Sequence, residues 1–240
     1  MKIIIADDYQ ELSRRASDLL LEVVKRDPYA VLGLATGTTP LGAYEHMIEN
    51  QKKNGTSYLH VRTVNLDEYK GLPASHPQSY ACFMRHNLFD GLDIDLENTY
   101  IENGMAAEEE EECARYDKLL RSLPRDVQLL GLGSNGHIAF NEPGTPFDSG
   151  THVVTLAEST VRDNARLFAG IDEVPRKAFT MGIRQIMQAR RVLILASGAN
   201  KADAVFCMAK GPVTEDVPAS VLRLHPDCTL IVDRAAAAKL

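Results

Sequence analysis

The chain has 240 residues, 45% of them hydrophobic and 25% charged, with a formal net charge of −7. That length suits one large α/β domain, or two small ones, with a substantial buried core. The acidic balance argues against general nucleic-acid binding, which calls for a basic stripe, but leaves room for an anionic substrate held by a local cluster of donors.

Met1-Lys-Ile-Ile-Ile-Ala reads as a first strand, and its apolar stretch is too short for a signal peptide. Leu12, Ala16, Leu19, Leu20, Val23 and Val24 then recur at helical spacing, with Asp7 or Asp8 as the cap. Val31 to Ala35 reads as a second strand, and Pro40 opens a helix running to about Glu49 or Asn50. Strand-like runs recur at 61–66, 127–132, 191–196 and 228–232, with helical patterns at roughly 77–89, 107–121, 159–168 and 200–209. This alternation predicts an α/β fold with a Rossmann-like open, mostly parallel sheet covered by helices on both faces. No apolar run approaches membrane-spanning length. The four cysteines (Cys82, Cys113, Cys207, Cys228) have no C-x-x-C spacing and read as reduced packing thiols of a cytoplasmic protein. Glu108 to Glu112 reads as the solvated face of a helix.

Two segments concentrate chemistry. Asn65-Leu-Asp-Glu-Tyr-Lys-Gly-Leu-Pro73 places Asp67 and Glu68 after one apolar strand, and Gly133-Ser-Asn-Gly-His-Ile-Ala-Phe-Asn-Glu-Pro143 places Asn135, His137 and Glu142 after another. Ligands of open α/β sheets bind beyond the carboxyl ends of the strands, so an imidazole and carboxylates there suit proton transfer. His137 with Glu142 reads as a base with its orienting carboxylate, although a lone histidine is more often structural. Asp67 serves equally well as a base, a cap or a turn former. Gly131-Leu-Gly-Ser-Asn-Gly136 matches a dinucleotide fingerprint literally, but Pro143, Gly144 and Pro146 break the helix that such a site requires. Thr36-Gly37-Thr38-Thr39 lies between a strand and a helix, where backbone N–H groups and hydroxyls make either a phosphate cradle or a plain structural turn. The remaining histidines are scattered without metal spacing.

Taken together these segments resemble the glucosamine-6-phosphate deaminase (glucosamine-6-phosphate isomerase) family. The similarity runs from about residue 30 to residue 232 and includes Leu34-Ala-Thr-Gly-Thr-Thr-Pro40, the 65–73 segment, His76-Pro-Gln-Ser-Tyr80, Gly136 to Pro143 and Leu224-His-Pro226. The resemblance implies a single domain over 1–240 that converts glucosamine 6-phosphate and water to fructose 6-phosphate and ammonia, with no metal or organic cofactor. It implies that Asp67 carries a proton between C2 and C1, and that Asn135 and Glu142 position His137 for opening the pyranose ring. It implies phosphate ligands in the Thr36-Gly37-Thr38-Thr39 loop, in Arg166 and in Lys201, and a lid over about 152–180 that carries Arg166.

The chain departs from part of that family. Many members have Asp where Asn135 stands, and the basic residues that bind an acetylated sugar-phosphate activator fall here on His152 and Val154, with Pro146 replacing a small hydroxyl residue. The implied partners are therefore a small-molecule sugar phosphate, with no nucleic acid and no membrane, and the assembly a monomer or small homo-oligomer. Two other readings exist: a 6-phosphogluconolactonase-like hydrolase of the same fold, and a non-catalytic sugar-phosphate sensor domain. Asp67 beside Glu68 and the Asn141-Glu-Pro turn favour the deaminase, and a sensor would need neither Asp67 nor His137.

Overall fold

In the computed structural model, which describes residues 1–165, 168 and 170–240, strand β1 (Lys2–Ala6) leads into helix α1 (Tyr9–Arg26). Asp8 caps that helix by accepting a hydrogen bond from the Glu11 amide at 2.8 Å. Next come β2 (Val31–Leu34), α2 (Leu41–Asn54), β3 (Arg62–Asn65), β4 (Asp67–Tyr69), α3 (Tyr80–Asn87), β5 (Thr99–Tyr100) and α4 (Glu109–Ser122). The second half holds β6 (Val127–Gly131), β7 (His152–Thr155), α5 (Glu158–Ala165), β8 (Lys177–Thr180), α6 (Ile183–Met187), β9 (Val192–Ala196), α7 (Ala202–Lys210) and β10 (Cys228–Asp233).

Seven strands form one sheet in the order β1-β10-β9-β6-β2-β3-β5, every neighbouring pair parallel. Period-two side chains explain how it is covered. Leu32 and Leu34 pack with Leu12, Leu20 and Tyr44 of α1 and α2 on one face, while Val31 and Ile194 pack with Tyr116, Leu120 and Val205 of α4 and α7 on the other. The chain moves outward from β2 through β3 to β5, and from β6 through β9 to β10 in the opposite direction, where β1 forms the edge beside β10. The order reverses between β2 and β6. Their carboxyl ends therefore flank the crevice where an open sheet binds ligands.

The expected parallel α/β sheet is present, but a second sheet accompanies it. Strands β4, β8 and β7 pair antiparallel, with Asp67 opposite Thr180 and His152 opposite Thr180 on the other side. These strands are only three or four residues long, too short to show a period. The apolar run expected at 61–66 is accordingly divided: β3 stops at Asn65, and Leu66 accepts a hydrogen bond from Met181 N at 2.7 Å as the chain crosses into β4.

The acidic run also departs from expectation. Glu112 is buried, accepts the Asn103 amide at 2.7 Å and pairs with Arg115 at 2.6 Å, while Glu109 pairs with Lys70 and Lys177. The first turn of α4 thus ties the helix to the small sheet instead of facing water along its whole length. Carboxylates suit this position because the helix N-terminus is the positive end of its dipole. No helix among the described residues is long and apolar enough to cross a membrane.

Candidate active site

The turn after β6 is built around its glycines. Gly136 has φ 88°, the left-handed region open to glycine, and Gly133 N closes the turn by donating to His137 O at 2.9 Å. A Cβ on Gly133 would lie 2.4 Å from the His137 ring, so only glycine lets the imidazole fold back over the strand end. No helix follows, so the Gly131–Gly136 fingerprint does not build a dinucleotide site. Ala139 has φ 53°, unusual for a residue with a side chain. Buried Asn141 holds that conformation in place by donating to Ile138 O at 3.0 Å and Met181 O at 2.9 Å.

Within this turn Asn135 Nδ2 donates to Glu142 Oε2 at 2.7 Å, and Asn135 Oδ1 accepts from His137 N at 3.1 Å. His137 Nδ1 lies 3.4 Å from the same Glu142 oxygen but forms no aligned hydrogen bond with it. The second oxygen, Oε1, accepts from Thr160 Oγ1 of α5 at 3.0 Å. Burial pushes the Glu142 carboxyl up, yet His137, Asn135 and Thr160 together outweigh it and hold the group below its ordinary pKa. A carboxylate beside Nδ1 favours a proton on that nitrogen and leaves Nε2 as the acceptor.

Across the crevice, Asp67 is 6% exposed. Burial and then the charge of Glu68 push its carboxyl up to about 8. Glu68 points the other way, into the N-terminus of α3, accepting from Tyr80 N and Ala81 N at 2.9 Å and from Tyr69 N at 2.8 Å. Even these three donors leave it raised, because burial is the larger effect. Tyr80, half-buried and lining the cavity, stacks near Phe140 with ring centroids 6.1 Å apart, bridging the two halves of the site.

A third acid, Glu102, had no sequence signal beyond its charge. It lies beyond β5, is 2% exposed, and neither oxygen has a hydrogen-bond partner outside its own residue among the described residues. Burial, then Asp67, and more weakly Glu68 and Glu112, raise its carboxyl well above the ordinary range. Such a group favours folding below its unfolded pKa, and that stability is lost as pH rises towards the folded pKa. Glu102→Leu is therefore expected to stabilise the protein by about 1–3 kcal/mol, the cost of burying an unpaired polar group. The gain in thermal midpoint should be larger at about pH 8 than at about pH 5; an unchanged or lower midpoint at both would contradict a raised carboxyl buried without a partner.

Asp67, His137, Thr36, Gly37, Thr38, Thr39 and Lys201 line one cavity of about 260 Å³. Asn135 and Glu142 stand behind His137, and Thr160, which the sequence did not single out, joins the lining. Gly37 has φ 97°, and Pro40 caps α2 without a side-chain hydrogen bond, so the threonine loop runs directly into the N-terminus of that helix. Tyr9 Oη donates to Thr38 O at 3.0 Å and accepts from Gly42 N at 3.0 Å, fixing that loop against α1. Arg166 lies outside the described residues. Among those described, no group of three or more His, Cys, Asp or Glu side chains could hold a metal ion.

The model of the family described as glucosamine-6-phosphate isomerases/6-phosphogluconolactonase matches residues 6–231. A glucosamine-6-phosphate deaminase of Geobacillus sp. is 53% identical over 98% of this chain and 94% of its own, and one of Clostridium perfringens is 47% identical over 99% and 98%. A solved monomeric glucosamine-6-phosphate deaminase superposes with a TM-score of 0.98 at 48% identity, covering 100% of both chains. The 6-phosphogluconolactonase of Trypanosoma brucei shares the fold, with a TM-score of 0.81 at 23% identity. By the extent of these matches, the chain belongs to the family of glucosamine-6-phosphate isomerases and 6-phosphogluconolactonases.

Proposed function

We propose that the protein is a cytoplasmic glucosamine-6-phosphate deaminase, converting glucosamine 6-phosphate and water to fructose 6-phosphate and ammonia. The observation that carries this reading is one cavity lined by a buried carboxyl of raised pKa, Asp67, by an imidazole backed by a carboxylate, and by donor groups for a phosphate. Kinship to relatives of that activity at about half identity over nearly the full chain supports it.

In this reading the phosphate sits on the Thr36–Thr39 loop, with Lys201 and Arg166 as its cations, so that C1 and C2 reach Asp67. His137 takes the proton from O1 and delivers it to the ring oxygen, and the ring opens to the aldehyde. Asp67 then removes the proton from C2 while O1 takes one from the substrate's ammonium, which gives an enolamine, and Asp67 returns its proton to C1, leaving an iminium at C2. Water adds there, and ammonia departs as the ketone forms. A base for C2 must be strong, and the environment that raises the Asp67 pKa supplies that strength. The direct test is ammonia release from glucosamine 6-phosphate. Hydrolysis of 6-phosphogluconolactone without ammonia release would instead favour the lactonase reading, and binding without turnover the sensor.

Regulation follows from the second sheet. His152 bonds Gly150 O through Nδ1 at 2.9 Å, and Val154 packs against the apolar cluster around Tyr69 and Phe140. Neither offers the fixed pair of cations that a second phosphate would need. We expect hyperbolic saturation by glucosamine 6-phosphate, unaltered by N-acetylglucosamine 6-phosphate, in a monomer or dimer. Saturation curves with and without the acetylated sugar, alongside light scattering, check this. Sigmoidal curves that the effector makes hyperbolic, in a hexamer, would reverse it.

A further inference from the structure

The Glu142 carboxylate is held from two sides. Its Oε2 meets Asn135 and His137, both on the same turn, whereas its Oε1 meets the hydroxyl of Thr160 at 3.0 Å, from a helix eighteen residues further along the chain. The torsion that swings a glutamate carboxylate is broad, so bonds to one oxygen leave its plane poorly fixed. That plane matters here, because the 3.4 Å approach of His137 Nδ1 to Oε2 lacks hydrogen-bond alignment. The neighbour of Thr160 on α5, Val161, is fully buried in the cluster formed by Tyr69, Phe140, Leu156, Val174 and Ala178. Phe140 of that cluster is two residues before Glu142. The packing of α5 and the orientation of the carboxylate are thus joined through one hydroxyl.

We propose that Thr160 is a positioning residue, whose hydroxyl fixes the Glu142 carboxylate and so couples the seating of α5 to the alignment of His137 for ring opening. Thr160 stands in the first turn of α5, where no preceding turn of the helix offers its hydroxyl an acceptor, and the hydroxyl donates to Glu142 across the cavity wall. The role rests on the deaminase reading, since it acts through the imidazole that reading assigns to ring opening. Substrate that draws α5 inward would tighten the Thr160–Glu142–His137 chain, as hydrogen bonds left loose in an empty site do when the reacting complex forms.

The test compares Thr160→Val, which keeps the shape and removes the hydroxyl, with Thr160→Ser, which keeps the hydroxyl. Turnover of glucosamine 6-phosphate by Thr160→Val should fall about 10–100-fold, the range for a lost hydrogen bond to a charged group, while KM changes little because the phosphate ligands are untouched. Thr160→Ser should recover most of the lost turnover. Binding of the open-chain alditol, 2-amino-2-deoxyglucitol 6-phosphate, should be the same in all three proteins, because it has no ring to open. If Thr160→Val does not fold, Thr160→Ala against Thr160→Ser carries the comparison. Wild-type turnover without the hydroxyl overturns the proposal. So does equal impairment of the valine and serine variants, or a loss confined to KM. Asp67→Asn is assayed alongside: if it too keeps wild-type turnover, the reading of the whole site has failed, whereas an inactive Asp67→Asn beside a fully active Thr160→Val rejects only the role of Thr160.

Discussion

Asp67→Asn should lower turnover of glucosamine 6-phosphate by about 10²–10⁴-fold, the usual worth of a positioned general base. The amide keeps the shape of the carboxyl but cannot accept the C2 proton, so exchange of the C2 hydrogen with solvent should fall in parallel. Substrate affinity should change little, since the donors that would hold the phosphate are the threonine loop and Lys201, not Asp67. The wild type offers a matching pH signature. A base works when ionised, and Asp67 in the empty site is pushed up to about 8. The acid limb of kcat/KM, which reports the free enzyme, should therefore have its midpoint near that value. The limb of kcat should lie lower, because the substrate's cationic amine favours the carboxylate in the complex. Folding carries the same information with a defined sign. A carboxyl of raised folded pKa costs stability progressively as pH rises from its unfolded pKa to about 8. The thermal midpoint of Asp67→Asn should thus gain on that of the wild type over this interval. A well-folded Asp67→Asn enzyme with wild-type turnover would remove Asp67 from the mechanism.

Loss of the charge at Lys201 or Arg166 should cost roughly 1.5–3 kcal/mol of substrate binding, the range for hydrogen bonds to charged groups. The phosphate is remote from C1 and C2, so most of this should appear in KM. Part should reach kcat for Arg166 if the segment around it closes over the substrate. Lys201 lines the cavity together with the Thr36–Thr39 loop, in a position to share the phosphate with the α2 amides. Unphosphorylated glucosamine should accordingly be a very poor substrate, and Lys201→Met should narrow the gap between it and its 6-phosphate. Steady-state kinetics on both sugars measures this, and equal activity of the wild type on the two would place the phosphate elsewhere.

Local sequence determined much of this protein. Apolar runs four to six residues long, separated by helical periods, dictated a parallel sheet covered on both faces, because such strands can bury two faces only under helices. Turn chemistry marked the site: Gly133, Asn135, His137 and Glu142 lie within ten residues, and their mutual hydrogen bonds are short-range contacts set by one glycine-rich turn. What tertiary structure alone decided is everything that joins distant segments. The small sheet of β4, β7 and β8 has strands too short to carry a period, and it exists because Asp67 to Tyr69 finds Ala178 to Thr180 across the chain. Thr160 reaches Glu142 only because Val161 is drawn into the cluster around Tyr69 and Phe140. The raised pKa values of Asp67 and Glu102 are likewise products of burial and of neighbouring charge, neither of which is a property of a residue's type. Sequence placed the acids and the imidazole; burial in the folded chain raised Asp67, Glu68 and Glu102 alike, and of these three only Asp67 lines the cavity.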